Sequence, residues 1–427
     1  MKQQVRQMIL FVGIAACCSP SVSSAFQAVD EMLWPERGIF PAYPAEEADG
    51  RTVRFSVFSG LLHDSNPFRL SDSTNPATTI GSSSKSDTIF RYGAGVDADL
   101  PISRQKVQLN ARVERRDFDR FDVLDHTAYR LGAGWKWVAA PEWSGDLGYQ
   151  RDHRLSSLAD IQAPIRDMIT SDYVYGSAGY RLDARWRVRG ALDFWHHNHS
   201  EPTRATLDNR TGSGTIGFDY MTPAENSVGG QFKYTRGNFP NQQPVGPVVT
   251  VDNQFKEYET SLVAHWVVTG KSTFDARVGY TSREHEQVPQ RDFGGWTGRL
   301  AYDWFVAAKT LLNFAVWREV HSYEDVQASY VVSRGASFGP AWAPTDKIVL
   351  QARLLYDKRN YQGDPGFVVT GAPEREDTFK GIRLSAGWTP RRFIELVGSV
   401  ERGDRDSNVV GKDYDYTSWM ANARIRF

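Results

Sequence analysis

From Arg51 to the carboxyl terminus this chain alternates, with a period of two, between side chains suited to hydrocarbon and side chains suited to water. The last segment places Thr417, Trp419, Ala421, Ala423, Ile425 and Phe427 on one side and Ser418, Met420, Asn422, Arg424 and Arg426 on the other. Successive side chains of a strand point to opposite faces, so such a segment is a strand with one apolar and one polar face. Tyr129, Leu131, Ala133, Trp135 and Trp137 against Arg130, Gly132, Gly134 and Lys136 repeat the pattern. Ile348, Leu350, Ala352, Leu354 and Tyr356 against Gln351 and Arg353 do so again. A charge facing lipid costs a few kcal/mol near the bilayer midplane. The apolar set therefore faces outward and the charged set inward, and a register slip of one residue would invert both.

Segments of this kind, close in length to a tilted membrane strand, recur about eighteen times. Their expected spans are 52–62, 86–100, 105–117, 126–139, 143–155, 170–182, 186–199, 209–221, 227–238, 253–268, 272–285, 294–306, 310–320, 329–341, 347–358, 377–388, 393–404 and 413–427. Short turns such as Leu100-Pro101-Ile102-Ser103-Arg104, Thr269-Gly270-Lys271 and Thr389-Pro390-Arg391 alternate with long polar loops near 63–85, 156–169, 239–252 and 359–376. Short turns on one rim and long loops on the other are the asymmetry of an outer-membrane barrel, whereas a soluble β-sandwich or propeller gives no reason for it. The expected fold is all-β: a transmembrane antiparallel β-barrel of about eighteen strands with short periplasmic turns and long extracellular loops. An even strand count places both barrel termini in the periplasm, and the expected location is the bacterial outer membrane.

The amino terminus reads as an export signal over residues 1–25: Lys2 and Arg6, an apolar run from Met8 to Ala16, and the small residues Ser23-Ser24-Ala25. That run is too short to span a bilayer. Ile14-Ala15-Ala16-Cys17 also resembles a lipobox, an alternative in which Cys17 becomes a lipidated first residue. Residues 26–50, with Pro35, Pro41 and Pro44, read as a periplasmic lead segment, and 51–427 as the barrel. Cys17 and Cys18 are the only cysteines, so cleavage after Ala25 leaves no disulfide and no thiolate metal site. Aromatic residues make up 13%, and the formal net charge of −1 gives no footing for nucleic acid.

The inward face carries both signs of charge and several rings. The lumen-facing candidates are Arg112, Arg130, Tyr173, Tyr175, Arg187, Arg189, Trp195, Arg277, Arg299, Asp303, Trp317, Arg353, Arg424 and Arg426. Most of the charges are expected to pair across strands. Tyr173, Tyr175, Trp195 and Trp317 could stack on sugar rings. Trp135, Trp137, Tyr220, Trp266, Trp304 and Trp388 sit where outer faces meet short turns, as an aromatic girdle would.

Other motifs weigh less. In Trp195-His196-His197-Asn198-His199 only His197 and His199 share a face, which reads as a solvated strand end. The tip Asp117, Asp119, Asp122, Asp125 lacks the glycine and terminal glutamate of an EF-hand. Gly335-Ala336-Ser337-Phe338-Gly339 lacks the spacing of a nucleophile elbow. No catalytic residues, cofactor or metal are expected, and no P-loop is present to supply energy.

An ordered series of motifs resembles the EpsL-type outer-membrane proteins of exopolysaccharide operons associated with exosortase and PEP-CTERM systems. It includes His63-Asp64-Ser65-Asn66-Pro67-Phe68-Arg69-Leu70, Gly95-Val96-Asp97-Ala98-Asp99-Leu100-Pro101, Leu147-Gly148-Tyr149 and Thr269-Gly270-Lys271-Ser272. It continues with Gln290-Arg291-Asp292-Phe293, Thr297-Gly298-Arg299-Leu300-Ala301-Tyr302-Asp303-Trp304, Ser337-Phe338-Gly339-Pro340-Ala341-Trp342 and Glu401-Arg402-Gly403-Asp404-Arg405-Asp406-Ser407-Asn408. The carboxyl-terminal strand, with Trp419, Ile425 and a final Phe427, also looks like an assembly signal read by the barrel assembly machinery. The resemblance implies a non-enzymatic outer-membrane conduit for extracellular polysaccharide, with outer-membrane lipids and polysaccharide-export proteins as partners. The alternatives are a porin for small solutes, or a plugged barrel that docks polymer or partner proteins at the cell surface.

Overall fold

The computed structural model describes residues 52–427 apart from 225, 245–249, 288, 326–327 and 363–373. The expected export signal and lead segment, with Cys17 and Cys18, lie outside the described residues.

The alternating segments are strands β1 (Val53–Asp64), β2 (Asp87–Ile102), β3 (Gln105–Phe118), β4 (His126–Val138), β5 (Trp143–Leu155), β6 (Met168–Arg181), β7 (Trp186–His199), β8 (Asn209–Met221) and β9 (Ser227–Asn238). They continue as β10 (Phe255–Thr269), β11 (Ser272–His285), β12 (Phe293–Ala307), β13 (Thr310–Asp325), β14 (Ala328–Thr345), β15 (Ile348–Gln362), β16 (Glu376–Arg391), β17 (Ile394–Ser407) and β18 (Tyr414–Arg426). Together they form one 18-stranded antiparallel sheet that closes on itself. Closure runs from Ser56 opposite Arg426 to Asp64 opposite Ser418, and Phe55 and Phe427 exchange backbone hydrogen bonds of 2.8 and 3.3 Å beyond it. A closed sheet has no edge, so its backbone polar groups are met inside hydrocarbon.

One rim carries the short connections 103–104, 139–142, 182–185, 222–226, 270–271, 308–309, 346–347 and 392–393, and both ends of the barrel chain lie there. In the two-residue connection 103–104, Ser103 takes a left-handed φ of 58°. The opposite rim carries the longer loops, with one exception. β13 and β14 continue past their expected ends and pair up to Asp325 opposite Ala328, so this hairpin rises above its neighbours.

That extension leaves a seam. The β12–β13 ladder ends at Gly298 opposite Arg318, whereas β11–β12 continues to Arg283 opposite Phe293. Beyond Gly298 side chains close the wall. The Phe293 and Tyr330 rings meet edge-on at 5.7 Å beside Val320 and Val332. The Tyr330 hydroxyl donates to the Asp292 carbonyl (3.1 Å), and the Arg318 guanidinium donates to the Trp296 carbonyl, a group the ladder would otherwise have satisfied.

The outer face is apolar, with Leu192, Ile216 and Leu262 exposed at 59, 61 and 69%. Trp135, Trp137, Tyr220, Trp266, Trp304 and Trp388 ring its short-turn rim, joined by Trp143, Trp186 and Trp342. Trp419, Ile425 and Phe427 share this exposed face. No helix of the described residues is long and apolar enough to cross a membrane.

Candidate functional site

The charged residues of the strands share the face opposite the apolar one, so the closed sheet gathers them around its lumen. Several arginines stand directly opposite one another in register: Arg112 and Arg130, Arg277 and Arg299, Arg353 and Arg383. Like charges so placed repel unless neighbouring strands supply acids. Arg112 pairs with Glu114 (3.2 Å) and lies over the Phe58 ring, and Arg130 pairs with Asp152. Arg277 bridges Glu259 and Glu319, both at 2.8 Å, and Arg299 reaches Glu319 at 3.7 Å. Arg187 and Arg189 share buried Asp219 (2.8 and 3.0 Å), while Arg424 and Arg426 share Glu395 (3.5 and 2.8 Å). Charges in a poorly hydrated wall need this compensation, and truncating one partner would strand the other.

Arg353 differs. Its charged neighbours are Arg299 and Arg383, and among the described residues it has neither a hydrogen bond nor an ion pair. Of the predicted arginines it is the one without an acidic partner among the described residues.

The rings do not all serve as the sequence implies. Tyr173 is only 4% exposed, stacked at 4.0 Å on Trp195 and at 5.3 Å on Tyr175. Its two faces are covered by its neighbours, so it offers no platform to a sugar. Gly148 makes room for the adjacent ring, since a Cβ there would come within 2.4 Å of Tyr175. Trp317 donates to Ser333 (2.9 Å) and lies under Arg299 at 5.4 Å. Asp303 accepts from Asn313 (2.5 Å). His197 bonds Ser171 (2.7 Å) and His199 bonds Asp208 (3.1 Å), while Asp117 and Asp125 hold Arg115 at 2.6 and 3.5 Å. Among the described residues no group of three or more His, Cys, Asp or Glu could hold a metal ion.

From the sequence, the long loop near 63–85 is one of the segments that could fold inward and close the pore, with no sign of how it would be fastened. The loop after β1 turns inward at Asn66, whose side chain donates to the Leu70 carbonyl (2.8 Å) and accepts from the Leu70 amide (2.9 Å). Arg69, in the left-handed region at φ 53°, pairs with Asp64 (2.8 Å) and lays its guanidinium 3.5 Å over the Tyr416 ring. The Tyr416 hydroxyl donates to Glu401, which also holds Arg383. Phe68, Leu70 and Ile80 then pack with Ile89, Phe118, Phe121 and Leu124 into a buried apolar cluster. Loop residues 162 and 412 join it, with Gln162 donating to the Arg69 carbonyl (3.0 Å) and Lys412 to Gln162 (3.2 Å). A cap thus covers the arc of the mouth from β17 to β6. On the loop side the inner wall is buried (Glu401, Arg405, Tyr416), whereas Val397, Ser399 and Asn422 on the turn side are half-exposed. The lumen is therefore tighter toward the loops.

Residues 265–427, less than half of the chain, match the family model described as "Putative beta-barrel porin 2". No curated protein matches the chain. Among solved structures it is similar to the outer membrane protein OpdK from Pseudomonas aeruginosa, at 7% identity and a TM-score of 0.47, covering 88% of this chain and 99% of that one. A BenF-like porin from Pseudomonas fluorescens Pf-5 gives 9%, 0.46, 88% and 98% on the same measures. The alcaligin outer membrane receptor FauA from Bordetella pertussis gives 10%, 0.43, 87% and 76%. At these scores the likenesses carry no argument of their own. The chain is an outer-membrane-type β-barrel on the strength of its ladder and its two faces.

Proposed function

We propose that this protein is a porin for small hydrophilic solutes, oriented with its short turns in the periplasm and its capped mouth outside. The observation that carries the reading is the closed 18-stranded wall, whose outward face is apolar and whose inward face is lined by charge. A barrel of that size is wide enough for an aqueous path. The match of its carboxyl-terminal part to a porin family supports the same reading. Solutes pass by exchanging water for weak contacts with the wall, and the arc around Arg353 favours anions over cations. Liposomes holding the folded protein should swell in isosmotic solutions of small sugars and amino acids, with rates falling as solute size rises. Liposomes that stay as tight as protein-free ones would overturn the proposal.

Export of extracellular polysaccharide is a second reading, supported by the family resemblance. The observation that favours it is that the resembling motif His63–Leu70 builds the knot at the mouth, against a strand pair that includes the motif Glu401–Asn408. Extracellular polysaccharide falling on deletion of the gene, with solute permeability unchanged, would favour it over the porin. The barrel assembly machinery and polysaccharide-export proteins belong to these proposals as partners.

A further inference from the structure

The outward face of a membrane barrel is a poor place for three adjacent cations. Arg318 on β13, Arg334 on β14 and Lys358 on β15 are nonetheless directly opposite one another in register. They share the face of Val316, Ala336 and Tyr356. Toward the turns that face is apolar: Val316, Phe314 and Leu312 on β13, Ala336, Phe338 and Trp342 on β14, and Tyr356, Leu354 and Leu350 on β15. Of the acids on these strands, Glu319 and Asp357 face inward on Arg277 and Arg359. Lys358 has one acidic neighbour, Glu376 at 2.5 Å. Arg318 is turned onto the Trp296 carbonyl, and exposed Arg334 has no hydrogen bond or ion pair among the described residues.

The height of the row identifies its ligand. Eight residues separate Arg334 from Trp342, about 27 Å along a strand and about 21 Å along the normal at a tilt of about 40°. That is close to the apolar band of about 25 Å between two headgroup layers. With Trp342 at one interface, the row stands at the other, among lipid headgroups, where a cation costs little and an anionic headgroup repays it. Three strands at about 4.8 Å spacing make the row about 10 Å wide, enough to meet more than one phosphate.

We propose that Arg318, Arg334 and Lys358 bind the phosphates of a bis-phosphorylated glycolipid of the loop-side leaflet, with its acyl chains on the apolar face below. The site is independent of whether the lumen conducts.

The test is native mass spectrometry of the folded barrel released from phosphatidylcholine nanodiscs containing a few per cent diphosphoryl lipid A or, separately, phosphatidylglycerol. Wild type should retain lipid A in preference to phosphatidylglycerol. Arg334→Lys should keep most of that retention, Arg334→Gln should lose about fivefold, and Arg334→Glu about thirtyfold. Heat-modifiable gel migration shows that each variant is folded, and the glutamine variant decides the matter should the glutamate variant not fold. Equal retention by wild type and Arg334→Gln would overturn the proposal. So would equal retention of the two lipids, or complete displacement of lipid A by millimolar inorganic phosphate.

Discussion

Replacing Gly403 by alanine tests whether the loop knot is seated as described. A Cβ at Gly403 would lie 2.4, 2.7 and 2.8 Å from Cε1, Cζ and the hydroxyl oxygen of Tyr416. Ordinary contact begins near 3.4 Å, so the ring must shift by up to about an ångström. Tyr416 cannot do so freely. It is 4% exposed, its face carries the Arg69 guanidinium at 3.5 Å, and its hydroxyl is held by Glu401. Overpacking of this kind costs about 1–3 kcal/mol, and removing a strand glycine returns about 0.5–1 kcal/mol. The expected net loss is about 1–2 kcal/mol. Gly398, on the same strand, is the control, because a Cβ there meets only the Met420 carbonyl at 3.9 Å. Gly398→Ala should be neutral or stabilising by up to about 1 kcal/mol. Urea unfolding in lipid vesicles, followed by tryptophan fluorescence, reads both variants. In a Tyr416→Ala background the penalty of Gly403→Ala should vanish, and that coupling separates a clash with the ring from any generic effect. Equal stability of Gly403→Ala and Gly398→Ala, or a penalty that survives removal of the ring, would refute the reasoning.

Three further outcomes follow from the same geometry. Arg69→Ala removes the cation over Tyr416 and the pair with Asp64. It should ease opening of segment 65–86 by about 2 kcal/mol, read as about thirtyfold faster nicking by an added protease. Arg353→Glu should lower the anion-to-cation permeability ratio, measured as a reversal potential across a salt gradient. A charge about 6 Å from a passing ion in water is worth about 0.7 kcal/mol, attractive for an anion and repulsive for a cation, so the ratio should fall about tenfold for loss of the arginine and further for its reversal. Backbone amides in 293–297 and 319–323 that point into the seam should exchange hydrogen faster than those of 299–305 and 311–317, because side chains rather than ladder bonds close the wall there.

The fold was legible because membrane and water act on opposite faces of every strand. Arg130 and Leu131, or Arg353 and Leu354, cannot trade places without putting a charge into lipid, so the alternation survives along the chain. Trp143, Trp186 and Trp342 escaped notice in the girdle because they stand at or near strand ends, where a shift of one or two residues hides their face. The ion pairs were foreseeable as a class but not partner by partner. That Arg277 takes both Glu259 and Glu319 depends on strand register, not on sequence distance. That the long loop near 63–85 could fold inward was legible, but how the knot is tied was not. Segment 65–86 has no periodicity, and its docking rests on Arg69 meeting Tyr416, far away in the chain. The signal that was available is the motif His63–Leu70 itself, since Asp64, Asn66 and Arg69 are the residues that tie the turn. The seam is a difference between two ladders, and a linear pattern carries no trace of it.

The central claim is that the charged inner face encloses a conducting aqueous path. Single-channel recording of the purified, refolded protein in a planar bilayer tests it most directly. Stable steps in potassium chloride, larger in Arg69→Ala and with lowered anion preference in Arg353→Glu, are the predicted result. A barrel that is folded by heat-modifiable migration, yet never conducts either as wild type or as Arg69→Ala, would contradict it.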